Sequence, residues 1–229
     1  MCMARYYIIG IDEVGRGALA GPVTVAVVAI KIKITHKRSI SRFDLDIFDV
    51  LAGIKDSKRL TPQQREEWAK KLKYDQRFMW AVASVSAKVI DKIGIAKAAN
   101  LAVARVIRKP LRLSFNSFRV RRPSRDMLLL LDGGLKAPEC YNQQTIIRGD
   151  ETIPIIAAAS IIAKVHRDRL MVRHHKRFPR YGFDSHKGYG TLKHRKAIRR
   201  YGVIFSLHRQ RFLTHSTLLR VNPGRSSKG

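Results

Sequence analysis

Acidic residues are scarce in this chain of 229 residues: 17 Asp and Glu stand against 46 Lys and Arg, for a formal net charge of +29. Self-repulsion on that scale opposes compactness, so a polyanionic partner is expected. Nucleic acid suits the role, because each phosphate neutralised by Lys or Arg releases condensed counterions. An anionic membrane surface is the competing partner, but long apolar runs are missing too. No stretch approaches the roughly 18 uncharged apolar residues of a spanning helix. No basic segment is segregated sharply enough to lie on a bilayer. Cysteine is nearly absent. Cys2 and Cys140 are far apart and without metal-ligand spacing, so they read as free thiols in a reducing cytoplasm. Met1 to Gly10 has no small-residue cleavage site after a full apolar stretch, so no signal peptide is expected and the location expected is the cytoplasm. There is also no internal repeat and no strong linker. A single domain over 1–222 is expected, followed by a disordered basic tail over 223–229.

What is present is globular in character. The hydrophobic share is 45%, which argues against wholesale disorder. Tyr6 to Ile11 is a short apolar, β-branched run ending at Asp12 and reads as a strand. Val23 to Ile34 is a second, in which Lys31 and Lys33 alternate with Ile32 and Ile34, as an antiparallel partner of the first requires. His36 to Gly53 reads as a loop or short insertion. Thr61-Pro62-Gln63-Gln64 combines an N-cap, a first-turn proline and a capping-box glutamine, predicting a helix to about Lys73. Phe78 to Val85 is predicted as a strand and Ala87 to about Ile107 as one helix. Arg108 to Arg125 is basic and without an acid. Met127 to Leu131 is a fully apolar run stopped by Asp132-Gly133-Gly134, a buried strand ending in a turn. Thr145 to Ile147 is a further short strand, and Ile153 to about His175 a long helix. Strands first, then strands alternating with helices, give an α/β domain with a mixed sheet.

A chain so poor in acids is best read through them. Asp12 and Glu13 end the first strand, Asp132 ends the apolar run from Met127, and Asp150 follows the strand at Thr145 by a short turn. Carboxylates at strand ends can converge on one edge of a sheet, and four together repel unless cations neutralise them. Hard divalent ions prefer such oxygens, and two can flank a phosphate in an in-line displacement. The plainer alternative is that each acid caps a turn or pairs with a neighbouring base. The segment Gly15-Arg16-Gly17-Ala18-Leu19-Ala20-Gly21 has some likeness to a dinucleotide-binding loop. Its spacing is off by one, Asp12 and Glu13 would repel a pyrophosphate, and Pro22 and a strand follow where a helix is needed. Close backbone approach to a nucleic-acid sugar and phosphate is the better use, with a plain hairpin turn as the alternative.

These blocks together resemble ribonuclease HII. Gly10-Ile11-Asp12-Glu13-Val14-Gly15-Arg16-Gly17, then Leu19-Ala20-Gly21-Pro22-Val23, is similar to the family's opening signature. Asp56-Ser57-Lys58-Arg59-Leu60, Leu131-Asp132-Gly133 and Gly149-Asp150 follow in family order. So do Ala157-Ala158-Ala159-Ser160-Ile161-Ile162-Ala163-Lys164-Val165 with Arg167-Asp168-Arg169, and His186-Lys187-Gly188-Tyr189-Gly190-Thr191. The resemblance spans about residues 8 to 215.

It implies a ribonuclease H-like α/β fold: a mixed five-stranded sheet with flanking helices and a small helical C-terminal portion from about residue 176. It implies that Asp12, Glu13, Asp132 and Asp150 are catalytic and hold two Mg²⁺ or Mn²⁺ ions. One would lower the pKa of the attacking water and the other would stabilise the departing 3′ oxygen. The expected substrates are RNA–DNA hybrids and DNA duplexes with embedded ribonucleotides, cut on the 5′ side of a ribonucleotide by a monomer. The backbone of Gly15, Arg16 and Gly17 would sense the 2′-hydroxyl, and Tyr189 would stack on the sugar across the junction. Lys58, Lys164 and Lys187 are candidate phosphate contacts, with solvated lysines as the plain alternative. Asp168 reads as an ion-pair partner, and His186 receives no role. Three features depart from the family's pattern: the length of 36–49, the basicity of 108–125, and Gly134. A non-catalytic basic RNA-binding protein and a ribonuclease HIII-like hybrid nuclease are the alternative readings. The second would need an N-terminal domain ahead of the first acid, which here comes at position 12.

Overall fold

The computed structural model describes residues 4–34, 51–54, 56–112, 117–119 and 126–213. Its centre is strand β1 (Ala4–Val14), apolar on both faces. Successive strand residues point to opposite sides, so Ile9 and Ile11 enter one half of the core and Ile8 the other. β2 (Val23–Ile34) returns antiparallel to β1, with Gly10 opposite Val28, and β3 (Phe78–Val85) pairs antiparallel with β2. β6 (Met127–Asp132) lies parallel to β1 on its other side, and β7 (Gln143–Ile146) parallel to β6. These five strands form the mixed sheet that the sequence predicts. Two three-residue strands, β4 (Pro110–Arg112) and β5 (Ser117–Arg119), extend it past β3, giving the order β5-β4-β3-β2-β1-β6-β7. They arise within the basic stretch 108–125, where no strand is expected. The rest of that stretch, the insertion over 36–49 and the tail over 223–229 lie outside the described residues.

Helices cover both faces of the sheet. α1 (Pro62–Tyr74) opens with the anticipated capping box: Thr61 Oγ1 accepts from the Gln64 amide at 3.2 Å, and Gln64 Oε1 from the Thr61 amide at 2.9 Å. The single helix predicted over 87–107 is in fact two, α2 (Ala87–Ile93) and α3 (Ile95–Arg108). The break is Gly94, whose φ of 82° leaves the helical region while its N–H closes the first helix on the Ile90 carbonyl at 2.8 Å. Periodicity is kept across that joint, which is why the pattern reads as one helix.

A short α4 (Gly149–Thr152) leads into α5 (Pro154–Arg177), the longest element, which seats its buried alanines on β1 and β2. The approach is close. A Cβ on Gly10 would stand 2.2 Å from the Ile155 carbonyl oxygen, so only glycine lets the strand and the helix start meet. The chain then adds a 3-10 turn (Pro179–Tyr181), α6 (Phe183–His186), α7 (Leu192–Tyr201) and a second 3-10 turn (Gln210–Phe212). This is the small helical C-terminal portion. Its apolar side, including Tyr181, Phe183, Ile198 and Leu207, packs on Leu19 and Ala20 of the β1–β2 connection. Among the described residues no helix is long and apolar enough to cross a membrane.

Candidate functional site

The parallel pairing of β1 with β6 sets Ile11 opposite Leu131, and one further step along both strands brings Asp12 level with Asp132. Asp150 arrives from the first turn of α4, where its amide donates to Asp132 Oδ1 at 3.3 Å. Asp12, Asp132 and Asp150 each offer a carboxylate oxygen, and these oxygens lie within 4.8 Å of one another. Glu13, the next residue along β1, stands outside that trio, yet its charge acts on Asp12 and that of Asp132 acts on it. Its Oε1 accepts from Arg16 at 3.0 Å, while its Oε2 is buried without a hydrogen-bond partner among the described residues. The structure therefore gathers three of the four expected acids within 4.8 Å, with the fourth next to Asp12 in the chain.

Burial makes this concentration of negative charge costly. Asp12 and Asp150 are each only 4% exposed. Desolvation, and then the neighbouring Glu13, hold the Asp12 carboxyl well above its usual range. Burial raises Glu13 as well, and burial followed by Asp150 raises Asp132. Lys58 relieves part of the charge, its ammonium donating to Asp150 Oδ2 at 2.8 Å while the side chain stays 73% exposed. The Asp56-Ser57-Lys58 block is anchored by Ser57, whose hydroxyl meets that of Ser160 on α5 at 2.8 Å. All-oxygen donors in one cluster, an orphaned carboxylate oxygen beside it and carboxyls pushed toward protonation are what hard divalent cations relieve. The residues present fit such ions.

Of the expected substrate-contacting residues, Arg16 and Lys58 bond to the acids, at Glu13 and Asp150. Arg16 and Gly17 are exposed at the tip of the β1–β2 connection, three and four residues beyond Glu13. Gly15 is buried. Tyr189 is half-buried and joins Ala18 through a backbone bridge, which brings it beside the glycine loop. Lys187, in the left-handed conformation, turns its ammonium onto the Asp184 carbonyl. Lys164 is tied to Asp168 at 2.7 Å, so Asp168 is an ion-pair partner as its sequence setting suggests, with Lys164 rather than a flanking arginine as the mate.

Two groups escape sequence reasoning. Arg167 and Arg209 are fully buried without an ion pair among the described residues, and donate only to main-chain carbonyls. Burial, then the charge of Arg167, pull Arg209 down to about 9. The second group is a histidine trio. His186 and His194 stack with centroids 4.4 Å apart, and His194 Nε2 meets His208 Nε2 at 3.2 Å. Arginine is ordinarily a surface residue, and the three histidines are brought together only by tertiary packing, so neither group has a local signal. Among the described cysteines, Cys140 is free and exposed.

Comparison with known proteins identifies the family. Residues 9–215 match the family model described as Ribonuclease HII. The chain is similar to ribonuclease HII of Pelagibacter ubique, 41% identical over 92% of this chain and 97% of the relative. It is similar to ribonuclease HII of Nitrosomonas europaea at 40% identity, covering 90% and 82% of the two chains. Among solved structures it resembles the ribonuclease HII of Archaeoglobus fulgidus, determined in complex with PCNA. The TM-score is 0.67 and the identity 26%, over 93% of this chain and 97% of that one.

Proposed function

The chain belongs to the ribonuclease HII family, and on that premise we propose that it hydrolyses the RNA strand of RNA–DNA hybrids and nicks duplex DNA on the 5′ side of single embedded ribonucleotides. Removal of misincorporated ribonucleotides and of RNA primers is the corresponding task. The observation that carries the reading is the trio of aspartates at the shared end of β1 and β6, one strand end from a loop whose Arg16 and Gly17 are exposed.

Asp12, Asp132 and Asp150 would hold two Mg²⁺ or Mn²⁺ ions, with Glu13 adding its Oε2, which has no partner among the described residues. Such ions, when bound, polarise the attacking water and neutralise charge on the departing 3′ oxygen, so that 5′-phosphate and 3′-hydroxyl ends result. The protein's own residues arrange the rest. Lys58 stands at the mouth of the cluster, where a phosphate oxygen can take its ammonium from Asp150. Gly15, Arg16 and Gly17 offer backbone donors to the 2′-hydroxyl, the group that separates RNA from DNA. Tyr189 supplies a face for the sugar beyond the scissile bond, while Lys164 and Lys187 add positive charge along the same flank.

The test is incubation of the protein with duplex DNA containing one ribonucleotide, in Mg²⁺ or Mn²⁺, beside the Asp132→Asn variant. A nick 5′ to the ribonucleotide, lost in the variant, is the expected result. Tight binding with no nick in either metal would leave a non-catalytic nucleic-acid-binding protein instead.

A further inference from the structure

The β1–β2 connection is held from beneath by two arginines that share its carbonyls between them. Arg209 donates to the carbonyls of Gly15 at 2.7 Å, Arg16 at 2.8 Å and Gly21 at 2.9 Å. Arg167 donates to those of Pro22 at 3.0 Å and Ala20 at 3.1 Å, and to Lys187 at 2.9 Å, two residues before Tyr189. Its guanidinium also lies 5.3 Å from the centre of the Tyr189 ring. Both side chains are 0% exposed. Burying two like charges with no carboxylate paired to either among the described residues is expensive, and six charge-assisted bonds to backbone oxygens are what offset the cost.

The consequence for the loop follows from peptide geometry. In a planar trans peptide the C=O of one residue and the N–H of the next point in opposite directions. Drawing the Gly15 and Arg16 carbonyls inward to Arg209 therefore turns the Arg16 and Gly17 N–H groups outward, and both of these residues are exposed. The bound guanidinium also polarises each peptide, strengthening its N–H as a donor.

We propose that Arg209 and Arg167 are positioning residues for ribonucleotide recognition. Arg209 aims the Arg16 and Gly17 amides at the 2′-hydroxyl, and Arg167 locks the turn carrying Tyr189 to the same loop. The proposal rests on the reading of Gly15-Arg16-Gly17 as the 2′-hydroxyl sensor.

The experiment measures kcat and KM on a duplex with one ribonucleotide, together with the inhibition constant of the all-deoxy duplex of the same sequence as competitor. The ratio of that constant to KM reports the preference for the 2′-hydroxyl. Arg209→Lys keeps the charge but loses the fork. Its ratio is expected to fall about tenfold, the worth of one well-made hydrogen bond, with competitor binding unchanged. A variant that loses kcat or thermal stability while keeping the ratio of the unmodified protein would make Arg209 a staple of the fold only and overturn the proposal. If Arg209→Lys does not fold, Arg167→Lys is read in the same way. In the unmodified protein, the Arg16 and Gly17 amide resonances are expected to move on adding the ribonucleotide duplex and not the all-deoxy one; equal shifts would also overturn it. A ratio near one in the unmodified protein would instead sink the sensor reading, on which this one depends.

Discussion

The ammonium of Lys58 donates to Oδ2 of Asp150 across 2.8 Å, joining an exposed cation to a carboxylate that is 4% exposed. Lys58 is thus a built-in counter-charge at the mouth of an acidic cluster. A divalent ion at that cluster meets its repulsion, and an arriving phosphate competes for its proton donors. Lys58→Ala is expected to tighten Mn²⁺ binding without nucleic acid by roughly 1 kcal/mol, about fivefold. Cleavage is expected to fall by about tenfold or more, the loss of one charged phosphate contact. Calorimetric titration with Mn²⁺ checks the first half; an unchanged affinity would show that the pair does not gate the cluster.

Gly15 and Gly17 are expected to behave oppositely although only two residues apart. Gly15 has φ of +88°, and a Cβ there would lie 2.2 Å from Nε of Arg167; a Cβ on Gly17 would meet nothing within 4 Å among the described residues other than its chain neighbours. Gly15→Ala is expected to cost about 2 kcal/mol or more of stability, from strain and from displacing a buried guanidinium. Gly17→Ala is expected to leave stability within about 0.5 kcal/mol yet reduce cleavage, because its methyl enters the space a sugar would occupy. Thermal melts beside kinetics on one duplex separate the two. Equal melting losses would mean that the loop tip is packed, not open.

The legible part of this molecule is what sits along single strands and helices. The runs before Asp12 and Asp132 are apolar because β1 and β6 are buried on both faces, so the acids that end them stand out in a basic chain. The capping box at Thr61 is equally local. Glu13 shows what such reading leaves open: adjacency to Asp12 suggests a shared ligand set, but nothing local says that one of its oxygens bonds Arg16 while the other is buried. Gly94 splits a helix without disturbing its periodicity. Arg167 lies inside a recognisable block, but nothing local says that its guanidinium reaches the carbonyls of Ala20 and Pro22. Arg209 comes from the far end of the described chain, and its role exists only once residues 207–209 pack against residues 19–21.

Asp132→Asn is expected to separate metal-dependent stability from the fold. Asp132 Oδ1 accepts from the Asp150 amide, and an asparagine oxygen keeps that bond. The folded pKa of Asp132 is raised, by burial and then by Asp150. The fold therefore favours its protonated form: that stability is fully present below the unfolded value near 3.8 and is lost as pH rises through the folded one. In chelator at pH 8 the variant should melt no lower than the unmodified protein. Mg²⁺ should then raise the melting temperature of the unmodified protein and scarcely that of the variant, following RT ln(1 + [L]/Kd). Equal Mg²⁺ responses would place the ion elsewhere.

The histidine trio has the opposite acid dependence. His208 Nδ1 accepts from the Ile204 amide at 2.8 Å, so its proton is on Nε2, which donates to His194 Nε2. His194 in turn donates from Nδ1 to the Tyr189 carbonyl at 3.0 Å, and His186 accepts from the Gly188 amide at 3.2 Å and donates to the Tyr181 carbonyl at 2.7 Å. Every ring nitrogen has its partner with all three rings neutral, and an added proton on any of them meets a donor. Burial above all, followed for His194 by the neighbouring His186, lowers His194 to about 3; burial likewise lowers His208 to about 4. In the unfolded chain both return to about 6.5, so the stability they lend is present above that pH and is lost as pH falls toward 4 and 3. Urea unfolding between pH 7.5 and 5 in saturating Mg²⁺ is expected to steepen below 6.5, by up to about 1.4 kcal/mol per pH unit for each histidine. His208→Gln, whose amide can still donate to His194, should remove about one proton from that slope. Because His194 and His186 hold the backbone on either side of Tyr189, cleavage should fall over the same acid range. An acid slope that His208→Gln leaves untouched would show that the trio does not titrate as a buried unit.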